Sequence, residues 1–458
     1  MSTFGGLEIA KRALQVQKKS LEVTGHNIAN ANTEGYSRQR AIRTATDPLS
    51  VSGAGQVGTG VKISQIKRIR SEFVDQQIRQ ESSTKGMWEM KRGALKKIEL
   101  IFNEPSDKGL RNSMGEFFNS LEELNNRPES KAVRATVRQK AKALTNMFNH
   151  LDTQLEDYQG SLNRRIKTKV EEINSYGQRI ADLNKQIVAV ESNNQNANDL
   201  RDKRNLLVKK LSKLTNTQVQ ESKQGALRIG INGTKLVIGD EVNKLEVQNN
   251  LATNLYDVQW KSGNKVQFKS GELKGLLAAR DVEIPKYRNQ LDNMAQTLVA
   301  DFNTIHQSGY GLDNSTGNNF LTGTTAENIA LANAVKGDSG LKKIAAASSP
   351  NSPGDGTNAL QLANLESKQI FNSGTASITE YYSSNIARLG VDSQRAKRMV
   401  DNQETLLKNL QQQQEAIAGV SLDEEMGKMI KFQHAYTAAA NVTSTLDQML
   451  GTLIRKLG

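Results

Sequence analysis

A chain of 458 residues is too long for one hydrophobic core, since cores stop growing near ~250 to 300 residues, and two to four domains are expected. Apolar residues make up only 36%, the absence of cysteine excludes disulfides and thiolate chemistry, and no apolar run is long enough to span a membrane. The formal charge is +13, and residues 1–100 supply +8 of it (17 Lys and Arg against 9 Asp and Glu), which suggests an acidic partner.

The N-terminal segment contains two apolar rows with a period of seven residues. No Sec signal peptide is predicted, because the first 20 residues hold four basic residues and no continuous apolar stretch. Since positions two apart on a helix face nearly opposite sides, a helix with both rows should lie between neighbours in a bundle; a core helix of one domain is the alternative. The first row is Leu7, Leu14, Leu21 and Ile28, and the second is Ile9, Val16 and Val23.

Helical spacing dominates the middle of the chain, where only six prolines occur in the whole sequence. One amphipathic helix is predicted over Leu110 to Leu124, and a very long one from Leu144 to Val190. Asn198 is a suitable N-cap for a shorter helix that ends near Leu214, so that the two helices form an αα-hairpin.

A change of period after residue 216 predicts a small β-rich insert. Leu227, Ile229 and Ile231 alternate with polar residues, and Asn232-Gly233 is typical of a type I′ hairpin turn. Helical spacing returns at Ile284, and again at residues 358–418 after a region rich in Gly, Asn, Ser and Pro at 308–357.

The C-terminal segment has the clearest coiled-coil pattern. Ser421 and Glu424 form a capping-box sequence, which predicts a helix from about Leu422 to Leu457. Its apolar seam follows a 3-4 spacing and comprises Phe432, Ala435, Ala439, Val442, Leu446, Met449 and Leu453.

These patterns predict a mainly α fold with a small β insert, in which the two terminal helices pair as a coiled-coil-like domain. The predicted domains are 1–45 with 420–458 (terminal helical assembly domain), 46–215 with 271–419 (helical bundle) and 216–270 (β-rich insert). Because residues at the two ends are brought together only by folding, their apolar strips should be desolvated by each other and by neighbouring subunits.

Patterns that would support catalysis or ligand binding are weak. Gly53 to Gly58 matches G-x-G-x-x-G, but the next apolar residues have strand spacing, so no dinucleotide site is predicted. The four histidines are far apart, and Asp313 to Gly317 lacks the distal glutamate of a calcium loop. We expect no catalytic site, no cofactor and no metal, and we keep nucleic-acid binding as the remote alternative for the basic residues.

Both ends resemble one family. The segment from Asn27 to Tyr36 (NIANANTEGY) resembles the N-terminal signature of bacterial flagellar rod, hook and hook-associated proteins, and Val420 to Met426 (VSLDEEM) resembles their C-terminal signature. The asparagines also favour helix termination and Gly35 permits a tight turn. The signature residues are Asn27, Asn30, Asn32, Gly35, Tyr36, Leu422, Glu424, Glu425, Met426, Gln433 and Tyr436.

Segments in the middle of the chain indicate which members of this family it resembles most. Asn198 to Arg204 (NDLRDKR) and Gly271 to Leu277 (GELKGLL) resemble the hook-associated members that form the hook-filament junction; a hook or rod subunit is the alternative. The resemblance implies a structural role without enzymatic activity or membrane insertion, and export through the flagellar type III apparatus to the extracellular flagellum. The implied partners are further copies of the chain, the hook protein, a second junction protein (hook-associated protein 3), an export chaperone and the export apparatus.

Overall fold

The computed structural model describes residues 3–51, 55–193 and 195–457, and the side chains of Thr3, Phe4, Leu453 and Leu457 lie outside the described part. Within it the chain is mainly helical, with small antiparallel sheets, which confirms the predicted fold class. The helices are α1 (Thr3–Ala29), α2 (Glu72–Phe102), α3 (Leu110–Asn126), α4 (Lys131–Glu191), α5 (Asn198–Leu214), α6 (Glu272–Ala278), α7 (Ile284–Ser308), α8 (Gly337–Gly340), α9 (Thr357–Ala363), α10 (Ile378–Ala418) and α11 (Leu422–Leu457).

The strands form several small sheets and no continuous one among the described residues. β1 pairs with β4, β2 with β3, β9 with β10, and β11 with β12, while β5 to β8 form a four-stranded meander. Their bounds are β1 (Gln39–Ala45), β2 (Leu49–Val51), β3 (Gly55–Val57), β4 (Val61–Arg68), β5 (Gln218–Glu221), β6 (Leu227–Ile231), β7 (Thr234–Ile238), β8 (Glu241–Val242), β9 (Leu245–Asn250), β10 (Leu255–Trp260), β11 (Leu321–Thr322) and β12 (Ala330–Leu331).

The long helix α4 organises the body of the molecule. It extends over 61 residues and begins at Lys131, well before the predicted Leu144, because Ser130 caps its N-terminus through a bond from the amide of Val133. It contacts α3 and α7 along its first half and α5 with the β insert along its second half. One continuous hydrophobic core therefore runs beneath the helices and the insert.

Asparagine side chains on α4 attach the β insert to this helix. Asn184 both donates to the carbonyl of Leu227 and accepts from its amide, and Asn174 does the same with Leu245. Each asparagine side chain takes the place of a neighbouring strand, because it bonds to both the carbonyl and the amide of one strand residue. The backbone groups of Leu227 and Leu245 are thereby hydrogen-bonded. The hairpin turn predicted at Asn232-Gly233 is confirmed, with φ values of 46° and 92°.

Two local predictions differ from the structure. Asn198 is the first residue of α5 and not its N-cap: its side chain instead donates to Gln39 Oε1 and to the carbonyl of Ile66, so it holds the ribbon of β1 and β4. The predicted domain boundary at residue 45 falls inside that ribbon, because β1 pairs with β4 over 39–45 and 61–68. The region 308–357, for which the sequence showed only a composition rich in Gly, Asn, Ser and Pro, contains buried apolar residues and short strands.

The glycine-rich motif lies partly outside the described residues, since Gly53 and Ala54 belong to the segment 52–54. Its later part forms β3, followed by β4. No helix opens after it within the described residues, and the motif therefore lacks the geometry of a phosphate-binding turn.

Candidate assembly interface

The terminal helices α1 and α11 pack along each other, as the two terminal patterns predict. Of the predicted seam in α11, Phe432, Ala435, Ala439 and Leu446 are partly buried, and Leu446 approaches Gly6 of α1 closely. The side chain of Leu453 lies outside the described residues. The seam is therefore real at four of its positions.

Two other seam positions point away from the pair within one chain. Val442 is 52% exposed and Met449 is 56% exposed, whereas their neighbours Thr443 and Leu450 are partly buried. An α-helix turns once in about 3.6 residues, so a strict seven-residue series drifts away from the contact over several turns. The actual contact shifts by one residue, which leaves Val442 and Met449 free for another surface.

The two apolar rows of α1 have different surroundings. Val16 and Val23 are buried, and Val16 lines a groove with Val61 and Ile63 of the ribbon. The ribbon of the same chain therefore covers the valine row, a neighbour that the prediction of desolvation by the other terminal strip and by neighbouring subunits did not include. The other row, Leu7, Leu14, Leu21 and Ile28, remains only partly buried.

Asn27 is the centre of the N-terminal signature, and it is 1% exposed. Its Nδ2 donates to the carbonyl of Gln39 and to Oε2 of Glu425, each over 2.9 Å. Its Oδ1 accepts from the amide of Gln39 at 2.9 Å and from the hydroxyl of Tyr36 at 2.7 Å. One amide thus joins the end of α1, the start of β1 and the first turn of α11.

The neighbouring signature residues shape the turn after α1. Gly35 has φ +82° and lies against Leu206, so a side chain there would be strained and crowded. The Tyr36 hydroxyl lies 3.0 Å from Nδ1 of His26, and burial is the main cause that raises the pKa of Tyr36. Asn30 donates to the carbonyl of His26, and Asn32 is exposed.

The residues that follow tie this turn to the body of the molecule. Asp202 of α5, 5% exposed, accepts from both the amide and the hydroxyl of Ser37, at 2.9 and 2.8 Å. The same carboxylate pairs with Arg68 at 2.7 Å and with Arg70 at 3.4 Å. Asp202 was quoted from the sequence only as part of a family motif, and its role could not be predicted because its partners are more than 130 residues away.

The C-terminal signature meets the same turn from the other side. Arg38 pairs with Glu424 at 3.0 Å and its amide donates to the carbonyl of Ala418. Glu425 is 2% exposed and also accepts from Lys428 at 2.7 Å. The predicted capping bond is present, since the amide of Glu424 donates to the hydroxyl of Ser421.

The remaining C-terminal signature residues face outward. Leu422, Met426, Gln433 and Tyr436 are all exposed in the single chain. Seven of the sixteen exposed large apolar side chains on described residues lie on α11, and such concentrations mark surfaces that bind protein. They are Leu422, Met426, Ile430, Tyr436, Val442, Met449 and Ile454.

Metal binding and membrane insertion have no visible basis in the described residues. They contain no group of three or more His, Asp or Glu side chains arranged to hold a metal ion. None of their helices has the length and hydrophobicity that a bilayer span requires. His306 is fully buried and hydrogen-bonded to backbone atoms of Asn318 and Ala345.

Family models match three segments of the chain. The flagellar hook-associated protein FlgK helical domain matches residues 95–321. The flagella basal body rod protein model matches residues 7–36, and the flagellar basal body rod FlgEFG protein C-terminal model matches residues 411–456. Paired terminal helices with rod-type sequences at both ends define the class of this protein: a structural subunit of the bacterial flagellar axis.

Proteins that match over the whole chain identify the family within that class. The chain is 34% identical to flagellar hook-associated protein 1 of Bacillus subtilis, over 100% of this chain and 99% of that protein. It is 25% identical to flagellar hook-associated protein 1 of Escherichia coli, over 97% and 98%. The chain belongs to the flagellar hook-associated protein 1 family, the structural subunits of the hook-filament junction.

A solved structure has the same fold. The flagellar hook junction protein FlgK from Burkholderia pseudomallei superposes with a TM-score of 0.65 at 15% identity, over 75% of this chain and 100% of that one. Membership of the family places the chain in the extracellular flagellum. The alternatives of a hook or rod subunit and of a nucleic-acid-binding protein give way to the full-length match.

Proposed function

We propose that the chain joins hook to filament by burying its α1 and α11 pair among neighbouring subunits, and that it turns over no substrate. The observation that carries this proposal is the set of exposed apolar side chains on α11. At about 100° per residue, Leu422, Met426 and Ile430 follow one stripe, while Val442 and Met449 share another on the opposite side of the helix. Each fully buried side chain of this size contributes roughly 1.5 to 3 kcal/mol, which favours assembly.

The proposed partners are further copies of the chain, the hook protein and hook-associated protein 3. Family membership supports this set, and two separate stripes on α11 support contact with more than one neighbour. A junction between a bendable hook and a stiffer filament requires packing surfaces and no reactive group. The predicted seam residues and signature residues are the proposed assembly interface, with Val442 and Met449 assigned to contacts between subunits.

We infer further that the terminal pair opens readily in the free subunit and becomes stably ordered in the assembled structure. A helix covered on one side only is marginal in water, because its stability depends on burial of its apolar face. Hydrogen exchange of the soluble monomer tests this inference. We expect faster exchange in residues 1–45 and 420–458 than in α4; protection of both termini equal to that of α4 before assembly would contradict it.

Export is proposed from the family resemblance: the chain leaves the cell unfolded through the type III apparatus, with a chaperone bound to its C-terminal region. Cells that lack the export apparatus should retain the full-length chain, whereas cells with the apparatus should assemble or release it. Release of the chain from cells without the apparatus would argue against this route.

The junction role has a direct cellular test. Cells from which the native copy has been deleted should keep their hooks and shed filament subunits into the medium. Expression of the full chain should restore filaments. Filaments of normal length without the chain would overturn the proposed function.

A further inference from the structure

The outer face of the ribbon formed by β1 and β4 has an unusual cross-strand arrangement. In the register of the ribbon, Arg40 lies directly opposite Lys67, and Thr44 lies opposite Lys62. All four residues are exposed. Like charges directly opposite each other in an antiparallel pair are destabilising, so this face is costly in the free chain.

The inner face of the same ribbon explains why the charges point outward. Val61, Ile63 and Ile66 alternate with the charged residues of β4 and are partly buried, and the ribbon packs on α1. A one-residue slip would expose these apolar side chains, so the register is fixed by burial. The basic side chains consequently have no freedom to turn toward the protein.

No carboxylate of the described residues lies within ion-pair distance of Arg40, Lys62 or Lys67. Of the acidic groups near the ribbon, Glu8 pairs with Arg12 and Asp202 pairs with Arg68. Asp47 lines the groove with Lys62 but forms no ion pair with a described residue. Positive charge is in excess in this part of the chain, since residues 3–68 contain 10 Lys and Arg and 4 Asp and Glu, a net charge of +6. Residues 422–457 contain four of each sign and are neutral.

The basic surface continues from the ribbon onto α1. Lys19 of α1 and Lys62 of β4 both line the groove between these two elements. Lys19 pairs with Glu22 in the next turn, but both groups are about half exposed, and such a pair is weak. We call Arg40, Lys62, Lys67 and Lys19 the basic face.

We propose that the basic face binds an acidic surface of a different flagellar subunit, whereas α11 contacts further copies of this chain. The proposal rests on the proposed junction function, because a subunit that joins hook to filament has unlike neighbours. A second copy is disfavoured here, since every copy carries the same basic face and a net charge of +13. Charge complementarity across such a contact would also fix the order of subunits along the axis.

Charge reversal at the cross-strand pair tests the proposal in cells that lack the native copy. The test variant is Arg40→Glu with Lys67→Glu, and the matched control is Lys223→Glu with Lys261→Glu, two exposed lysines of the β insert. The fraction of chain in isolated flagella, compared with the medium, should fall at least about tenfold for the test variant. The control should incorporate as well as the unchanged chain.

Two measurements on purified protein separate this role from folding and from contact between copies. The neutral variant Arg40→Gln with Lys67→Gln should melt at the same or a higher temperature, because it removes the like-charge pair. Self-association of the charge-reversed chain, followed by sedimentation, should match that of the unchanged chain. Altered self-association would assign the face to a second copy and overturn the proposal.

Normal incorporation of the charge-reversed chain would also overturn it while leaving the junction function intact. Failure of the unchanged chain to enter flagella would instead refute the proposed function. An equal loss in the β-insert control would show that net charge alone matters, which contradicts a specific face. Tight, salt-sensitive DNA binding lost in the test variant would assign the face to a polyanion instead.

Discussion

The amide of Asn27 donates a hydrogen bond to the carboxylate of Glu425 over 2.9 Å, although 398 residues of sequence separate them. Both residues are almost fully buried, so the bond forms only when the two ends of the chain have come together. Signature residues from both termini therefore meet in one hydrogen-bonded cluster. The cluster joins the end of α1 to the start of α11, and Asp202 connects it to the body through Ser37.

Replacing Asn27 should loosen this cluster. Asn27→Ala leaves Glu425 and the backbone of Gln39 without their partner, and an unsatisfied buried polar group costs about 1 to 3 kcal/mol. Urea unfolding of purified chain and hydrogen exchange in the first turn of α11 measure the loss. Asn32→Ala is the control, because Asn32 is exposed in the same signature; equal effects of the two changes would contradict the assignment.

Two residues of the α11 seam allow contacts within the chain to be tested separately from contacts between chains. Leu446→Asp should weaken the pairing of α1 and α11 in the monomer and abolish incorporation, because Leu446 packs near Gly6. Met449→Asp should leave the monomer unchanged but still impair incorporation, since Met449 is exposed. Circular dichroism of the monomers and the amount of each variant in isolated flagella provide the comparison. Normal filaments on either variant would refute the role of that residue.

The buried carboxylate of Asp202 should be more important for stability than its neighbour Asp199. Asp202→Asn leaves Arg68 and Arg70 without their shared charge, and breaking a buried pair costs about 3 kcal/mol. Asp199→Asn should cost little, because that carboxylate is 59% exposed. Equilibrium unfolding of the two variants at neutral pH checks the difference. A larger effect at Asp199 would show that the connection to the body lies elsewhere.

His306 should make the stability of the body sensitive to acid. Its Nδ1 lies 2.7 Å from the carbonyl of Asn318 and its Nε2 accepts from the amide of Ala345, so the ring fits only in its neutral form. Burial is the main cause that lowers the pKa of His306 to about 4. A group whose pKa is lowered in the folded state is protonated first in the unfolded chain, which favours unfolding as the pH falls.

The effect should be fully absent above the ordinary histidine pKa of 6.5 and should grow down to about pH 4. In that window the free energy of unfolding should fall by about 1.4 kcal/mol per pH unit from this group. His306→Gln should remove this part of the slope, and unfolding curves of both proteins between pH 7 and 4 measure it. Identical slopes would show that other groups are responsible.

Local sequence patterns predicted the elements whose residues repeat with a regular period. The terminal helices, the capping bond at Ser421 and the turn at Asn232-Gly233 depend on neighbours a few residues away, and the structure contains them all. Helix α2 was missed, because its apolar residues repeat at helical spacing only near its two ends, at Val74 and Ile78 and again from Ala94 to Phe102, with a largely polar stretch between them. The order in region 308–357 has a different cause, since Asn303 and His306 of α7 hold it through hydrogen bonds to its backbone that only the folded chain can form.

By itself, the sequence determined that both ends are helices with apolar strips and that their signatures belong to the flagellar axis. The choice of partner for each strip was decided only by the tertiary structure. Periodicity identifies which side chains require burial, but several surfaces can satisfy the same strip, so Val16 turned to the ribbon and Met449 turned outward. Polar partners such as Asn27 and Glu425 leave no periodic trace, because only the folded chain brings them within hydrogen-bonding distance.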